Sequence, residues 1–439
     1  MRSYLGDELD AFLKALQSER ETSVRVNTKA PFDALHVLHK AGLEEVPWCP
    51  EGYYVRHRPQ FTLDPMMHAG CYYVQEPSSM FLSEVLDQLV PHDSVVLDLC
   101  AAPGGKSTLI SEHLVAGGLL ISNEVVRQRV FVLSENVQKW GNGNVVVTHN
   151  QPRDFGDKLE NLFDCVLVDA PCSGEGMFRK DGGAVDEWSL KNVEMCAARQ
   201  KDILRHVWPA LKPGGLLIYS TCTYNEHENE ENVAFVCDEL GAEVMPVEYE
   251  ESWGITAGKA GLHFYPHKVR GEGFYICVLR KHDASFVPFR AKGDKERQQG
   301  QEAYSDMRSW LCTPDKWFIR QNERFADAYP IEHKDLIAYL SKHFICVSTG
   351  FGIGEQRGRF MAPQHSLSML KDFRREAFPQ VSLTEEQALS YLRSEALTLS
   401  NLPFGTLLVT YNDVPLGFVK NVGNHSNNLY PNEWRIRRL

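Results

Sequence analysis

The chain of 439 residues holds 11 cysteines, yet no two of them stand in a C-x-x-C pair, and no H-E-x-x-H pattern occurs among its 16 histidines. Structural zinc is built from paired ligands of that kind, so no metal site is expected. An odd cysteine count without regular spacing gives no disulfide framework either. In a reducing compartment most of these thiols should be free and buried as small hydrophobes. No apolar run approaches the roughly 20 residues that cross a bilayer, and the first residues lack the apolar core of a signal peptide. The expectation is a cytoplasmic protein without membrane contact. Positive charge is also scarce, with 46 Lys and Arg against 58 Asp and Glu and a net charge of −12. A nucleic-acid binder normally carries a basic footprint, so any such surface has to be local.

What is present is a globular composition, 43% hydrophobic and 24% charged, in a chain too long for one core. Residues 1–90 read as a mixed lead-in. Leu9, Phe12, Leu13 and Leu16 stand at helical spacing, Val24–Asn27 suits a short strand, and Met80–Leu89 suits a helix. From Ser94 strands and helices alternate as in a doubly wound α/β domain. The predicted strands are Val95–Leu97, Gly118–Ser122, Asn144–Thr148, Phe163–Val168, Leu216–Tyr219 and Gly273–Leu279, with helices over Val126–Lys139 and Lys191–Leu211 and a turn at Lys212–Gly215. Residues 91–282 form this domain, 283–307 read as an exposed linker, and 308–383 as an intermediate α+β region. The last unit, 384–439, starts with an amphipathic helix over Thr384–Ala396. Two strands follow, Gly405–Thr410 and Pro415–Val419, joined at Tyr411–Val414.

The chemistry centres on Asp98-Leu99-Cys100-Ala101-Ala102-Pro103-Gly104-Gly105-Lys106-Ser107, where the first strand meets a turn of small residues and a helix beginning near Ser107. Such a turn lets a ligand approach the backbone and aims N–H groups at it; tight turns of this kind also occur with no ligand. Glu124, at the end of the second strand, stands where these folds bind ribose hydroxyls, or it is a solvated acid at a helix start. Two cysteines, Cys172 and Cys222, follow the carboxyl ends of central strands, the rim where open sheets bind ligands. The acidic run Glu226–Glu231 reads as a solvated helix start. Gln75-Glu76-Pro77 reads as a turn or as part of a motif, and Arg179-Lys180 as a phosphate clamp or a surface turn. Tyr430 and Trp434 among Lys420, Arg435, Arg437 and Arg438 suit an RNA surface, though a chain end often exposes arginines.

Taken together, Asp98–Ser107, Asp169-Ala-Pro-Cys172-Ser-Gly-Glu-Gly-Met-Phe178 and Ser220-Thr-Cys222-Thr223 resemble the RNA 5-methylcytosine methyltransferases. Arg25-Val26-Asn27 and Gln75–Ser79 are similar to that family's N-terminal motifs. Within the family the chain is most similar to the bacterial small-subunit ribosomal RNA group, the F group, whose PUA-like RNA-binding tail resembles Pro415–Lys420 and Asn428–Pro431. The resemblance implies a Rossmann-like S-adenosylmethionine-dependent domain between a small N-terminal RNA-binding domain and a C-terminal α+β region ending in the PUA-like module.

It further implies a monomer acting on RNA, ribosomal RNA or the small subunit itself, with Cys222 as nucleophile and Cys172 in product release. Asp169 and Lys106 should meet the base. Cys100, Ala101, Ala102, Pro103, Gly104, Gly105, Lys106, Glu124, Arg129 and Asp169 should hold the cofactor. Relatives place an Asp after the third strand near the adenine amino group, where this chain has Asn150-Gln151. The other readings are the same chemistry on tRNA or DNA, where a Pro-Cys nucleophile would be Cys172, and an RNA-binding ribosome-assembly factor with little turnover.

Overall fold

Strands covered on both faces have no polar side, which is why the central strands here are nearly unbroken runs of Val, Leu and Ile. In the computed structural model Val95–Asp98, Leu119–Asn123, Val145–Thr148, Phe163–Asp169 and Leu211–Thr221 run parallel to one another. The residues described are 5–114, 117–180, 182–291, 305–321, 324–357, 360–399 and 402–437; positions 292–304 of the expected linker and Arg438 of the tail lie outside them. Alternate residues enter opposite layers. Val96, Leu120, Leu167 and Ile218 join one core, with helices Leu82–Leu89, Gly105–His113 and Arg127–Trp140. Leu97, Ile121, Val166 and Leu217 join the other, with Pro152–Lys158, Leu190–Val207 and Glu230–Leu240.

Val95–Asp98 lies between Phe163–Asp169 and Leu119–Asn123. The winding reverses on either side of it, and a crevice opens at the carboxyl ends of these strands. Phe274–Lys281 runs antiparallel beside Leu211–Thr221 and leads to the shorter strands Ala242–Met245, Leu262–Phe264 and Thr256–Ala257. The turn expected at Lys212–Gly215 is an excursion inside the Leu211–Thr221 strand. Leu211 pairs with Phe163 and the next pair is Leu216 with Cys165, with Gly214 at φ +76° between them.

The region 308–383 is not held apart from the central sheet. Its strand Cys346–Thr349 pairs with Val145–Thr148, and Ile337 and Leu340 of helix Lys334–His343 join the second core. The two ends of the chain also meet. The N-terminal sheet, ordered Leu43–Val46, Cys49–Val55, Ser23–Val26, Tyr72–Val74, shares one apolar core with the tail. Val24, Met66 and Ala69 pack in one cluster with Ala388, Tyr391 and Leu416. The tail helix is Glu385–Leu392, with Thr384 accepting from the Gln387 N–H as its N-cap. Strands Gly405–Tyr411 and Val414–Asn421 are joined by Asn412 and Asp413, both at positive φ, as a two-residue hairpin needs.

Candidate active site

The turn after Val95–Asp98 is shaped by its glycine and held by side chains from three directions. Gly104 has φ +117°, and a Cβ there would come within 3.3 Å of Leu133; other residues are strained at such a φ. Arg129 Nη2 donates to the Ala102 carbonyl at 2.7 Å, Asn136 Nδ2 to Pro103 at 2.8 Å and Arg25 Nη2 to Gly105 at 3.2 Å. The helix starts at Gly105, ahead of Ser107. Ser107 is pulled inward, where its hydroxyl donates to Asp98 Oδ2 at 2.6 Å and accepts from Ser122 at 3.0 Å.

The N-terminal motifs serve the same turn. The buried Arg25 also donates to Gln75 Oε1 at 2.9 Å and lies 4.3 Å over the Trp140 ring. Glu76 accepts from the N–H groups of Ser78, Ser79 and Glu272.

A cavity of about 400 Å³ opens here. Cys100, Ala101, Ala102, Pro103, Gly105 and Lys106 line it, as do Asp169 and Cys222. Gly104, Glu124, Arg129 and Cys172 are not among its lining residues. Glu124 is buried; its carboxylate accepts from Val126 N at 2.9 Å and pairs with Arg129 at 3.4 Å. Both ends of the Asn150 amide are engaged by one backbone unit: its Oδ1 accepts from Ile345 N at 3.1 Å and its Nδ2 donates to Ile345 O at 3.2 Å. A second cavity of about 600 Å³, near Arg320 and Asp327, contains none of the sequence-predicted site residues.

Around the thiols the geometry is close. Cys172 Sγ and Cys222 Sγ lie 3.1 Å apart and share a hydrogen bond. Asp169 accepts from Lys106 Nζ and from Ser220 Oγ, both at 2.8 Å. The bond from Cys172 is the main force lowering the Cys222 thiol, against burial and Asp169, with Lys106 and Lys180 helping. The same bond, burial and the charge of Glu228 push Cys172 well up, so Cys222 is the readier of the two thiols to ionise. Burial works to lower the Lys106 ammonium, but Asp169 outweighs it and holds Lys106 above its usual range. Asp98 is pushed up to about 7 by burial, and its Oδ1 has no partner.

Three expectations are corrected. Within Glu226–Glu231, Glu228 is not solvated but 0% exposed, accepting from Ser173, Gln200 and Asn225. Arg179 is neither a phosphate clamp nor a surface turn; it is buried and paired with Glu272 at 2.9 Å, while Lys180 lines the cavity. Tyr430 is buried, its ring edge-on to His365 and Tyr391, and Trp434 is half-buried against His365. Apolar burial takes the Tyr430 ring out of the proposed RNA surface. Lys420, Arg435 and Arg437 remain exposed.

Residues 86–280 match the family described as 16S rRNA methyltransferase RsmB/F. Residues 1–77 match the N-terminal domain of 16S rRNA methyltransferase RsmF, and 378–436 the methyltransferase RsmF PUA domain. The chain is 31% identical to the ribosomal RNA small subunit methyltransferase F of Aliivibrio salmonicida (strain LFI1238), over 99% of this chain and 94% of the relative. It is 33% identical to the protein of that name from Shewanella loihica (strain ATCC BAA-1088 / PV-4), over 97% and 91%. Among solved structures, a methyltransferase homolog from Pyrococcus horikoshii is 28% identical with a TM-score of 0.54, over 63% of this chain and 91% of that one. NSun6 from Pyrococcus horikoshii with SFG shares the fold at 24% identity and a TM-score of 0.54, over 64% and 97%.

Proposed function

The chain belongs to the 16S rRNA methyltransferase RsmB/F family, and on that premise we propose that it methylates carbon 5 of cytosine in small-subunit ribosomal RNA, with Cys222 as the attacking thiolate. It is an RNA methyltransferase with S-adenosylmethionine as cofactor and a C-terminal PUA domain. The observation that carries the finer reading is the thiol pair, 3.1 Å apart beside the Lys106–Asp169 ion pair.

The cavity suits the cofactor. Its volume is in the range of small-molecule sites, the turn residues Cys100–Lys106 form its wall, and Asp98 Oδ1 is an acceptor without a donor. When bound, S-adenosylmethionine supplies an electrophilic methyl group. Cys100–Lys106 and Glu124 would hold it, with Arg129 fixing both Glu124 and the Ala102 carbonyl. The Asn150 side chain is left out of this set.

Cytosine C5 is a weak nucleophile. Addition of the Cys222 thiolate at C6 makes C5 enamine-like and able to take the methyl group. Asp169, oriented by Lys106 and Ser220, accepts from the cytosine amino group and keeps the ring in register with Cys222. Water in the crevice takes the C5 proton, the electron pair of that C–H bond remakes the C5–C6 double bond, and the C6–S bond breaks with the Cys172 S–H donating to the departing Cys222 thiolate. A stacked base cannot enter this crevice, so the target is single-stranded or flipped out. Cys172, pushed well up, is the poorer thiolate of the two, and this argues against attack by the Pro-Cys thiol.

The test is a denaturing gel of each variant with RNA and S-adenosylmethionine, beside sequencing of 5-methylcytosine in 16S ribosomal RNA of cells with and without the protein. Cys222→Ala should form no protein–RNA adduct and lose methylation by more than about a thousandfold; Cys172→Ala should accumulate adduct. The reverse pattern reassigns the nucleophile.

A further inference from the structure

Behind the two thiols lies a buried polar cluster that the mechanism above does not use. Its centre is Glu228, on the loop between strand Leu211–Thr221 and helix Glu230–Leu240. Glu228 Oε2 accepts from Ser173 N at 3.0 Å and Gln200 Nε2 at 2.8 Å; Oε1 accepts from Ser173 Oγ and from Asn225 Nδ2 at 2.8 Å. Donors on both oxygens and no acceptor suit the ionised carboxylate, the acceptor-only form. Ser173 follows Cys172 directly. Gln200 also donates to the carbonyl of Pro171, the residue before Cys172, at 3.0 Å. One carboxylate and its partner thus grip the chain on both sides of that cysteine.

The loop of Cys222 is fastened separately. The Gly176 N–H donates to the Cys222 carbonyl at 2.8 Å, and the buried Glu175 accepts from Thr223 Oγ1 at 2.7 Å and Tyr224 N at 2.9 Å. The charged groups facing the two thiols differ, a carboxylate without a cation at Cys172 and a mixed set at Cys222. Cys172 has Glu228 behind it, with the Tyr219 phenol donating to the Glu228 carbonyl at 2.6 Å. Cys222 faces the ammonium groups of Lys106 and Lys180, with Asp169 opposing them. Two identical side chains sharing one proton are separated by such fields, because a buried negative charge disfavours a second one beside it.

We propose that Glu228 is a positioning residue that assigns the thiols their roles, its charge and its hold on Ser173 keeping the proton on Cys172 and leaving the thiolate on Cys222. This rests on the reading that Cys222 attacks.

The experiment is limited alkylation of the full-length protein with iodoacetamide from pH 6 to 9, each cysteine followed by peptide mass spectrometry. In the wild type Cys222 should react at least about tenfold faster than Cys172, the ratio that one unit of difference in ionisation gives. In Glu228→Gln the two rates should converge to within about threefold, and the pH of half-maximal Cys222 labelling should rise by about one unit. Glu228→Asp, which keeps the charge, should retain the preference for Cys222. A purely structural role for Glu228 would lower yield or thermal stability and leave both the ratio and the midpoint unchanged, and that result overturns the inference while the attacking role of Cys222 stands. Faster labelling of Cys172 in the wild type overturns that underlying reading instead. Should Glu228→Gln not fold, Ser173→Ala removes one donor and frees the loop without stranding a charge. It should move the ratio in the same direction by at least about twofold, and an unchanged ratio there is also decisive against the inference.

Discussion

The rim of the central sheet and the tail module both display aromatic and charged residues in patterns that suggest contact with RNA, and they use them in opposite ways. At the rim, Lys106, Asp169 and Cys222 stand at strand ends and helix starts, where the backbone aims them into one cavity. In the tail, Tyr430 and Trp434 turn inward onto His365 and Tyr391, and the cations Arg435 and Arg437 are left outside. A polar side chain at the end of a buried parallel strand has few directions open to it. An aromatic ring near a chain end is free to turn, and burying 150 Å² or more of ring surface outweighs leaving it wet.

The largest effect that would sharpen this contrast is at the rim. Lys106→Met should lower single-turnover methylation by about 10²–10³, the size of loss seen when a preorganised charge is removed. A loss below tenfold would make the Lys106–Asp169 pair structural. In the tail the matching substitution is Tyr430→Ala, which should cost about 3–5 kcal/mol of stability in urea unfolding, with RNA affinity of the folded protein unchanged at fixed salt. Intact stability with weakened RNA binding would restore the ring to an RNA surface. Deleting the tail is the poorer experiment, since it would uncover Val24, Met66 and Ala69 of the N-terminal domain.

A smaller effect concerns pH. Burial lifts Asp98 to about 7 when folded, above the unfolded value of about 3.9. The folded chain therefore binds a proton here that the unfolded chain has released. The stability from this group is complete below about pH 4 and is lost as pH rises through about 7. Between pH 5 and 8 the melting temperature of the wild type should fall by a few degrees relative to Asp98→Asn; parallel curves would place the proton elsewhere. Smallest is the paired change Arg435→Ala and Arg437→Ala, which should weaken RNA binding a few-fold and flatten its salt dependence by about one to two charges. An unchanged salt slope would remove the tail cations from the interface.

Much of the rim was legible in the chain itself. Val95–Asp98 is a short apolar run and Phe163–Asp169 a near-continuous one, both ending in a polar residue, and a run of that kind announces both the strand and the edge where its chemistry sits. Gly104 announced the tight turn. Arg25 and Gln75 were recognisable as motifs, but their task of holding the Gly105 carbonyl and each other was not, since it joins residues about 80 apart. Asn150-Gln151 read only as a departure from the relatives' Asp, and the true partner of Asn150, the Ile345 backbone, arrives from a region far along the chain.

The amino-acid sequence by itself determined the α/β layering, the tight turn after Val95–Asp98 and the placing of Cys172 and Cys222 just past strand ends. Each of these follows from local periodicity, or from residue types at strand ends, and needs no knowledge of distant segments. Only the tertiary structure decided which polar groups are dry. Glu228 and Arg179 look like surface charges within their own segments and become buried pairs because Ser173, Gln200 and Glu272 are brought against them. The charge that a thiol feels depends on what surrounds it in space, and with it the location of the proton between Cys172 and Cys222. That is a sum over neighbours from several elements, and it exists only once the chain has folded.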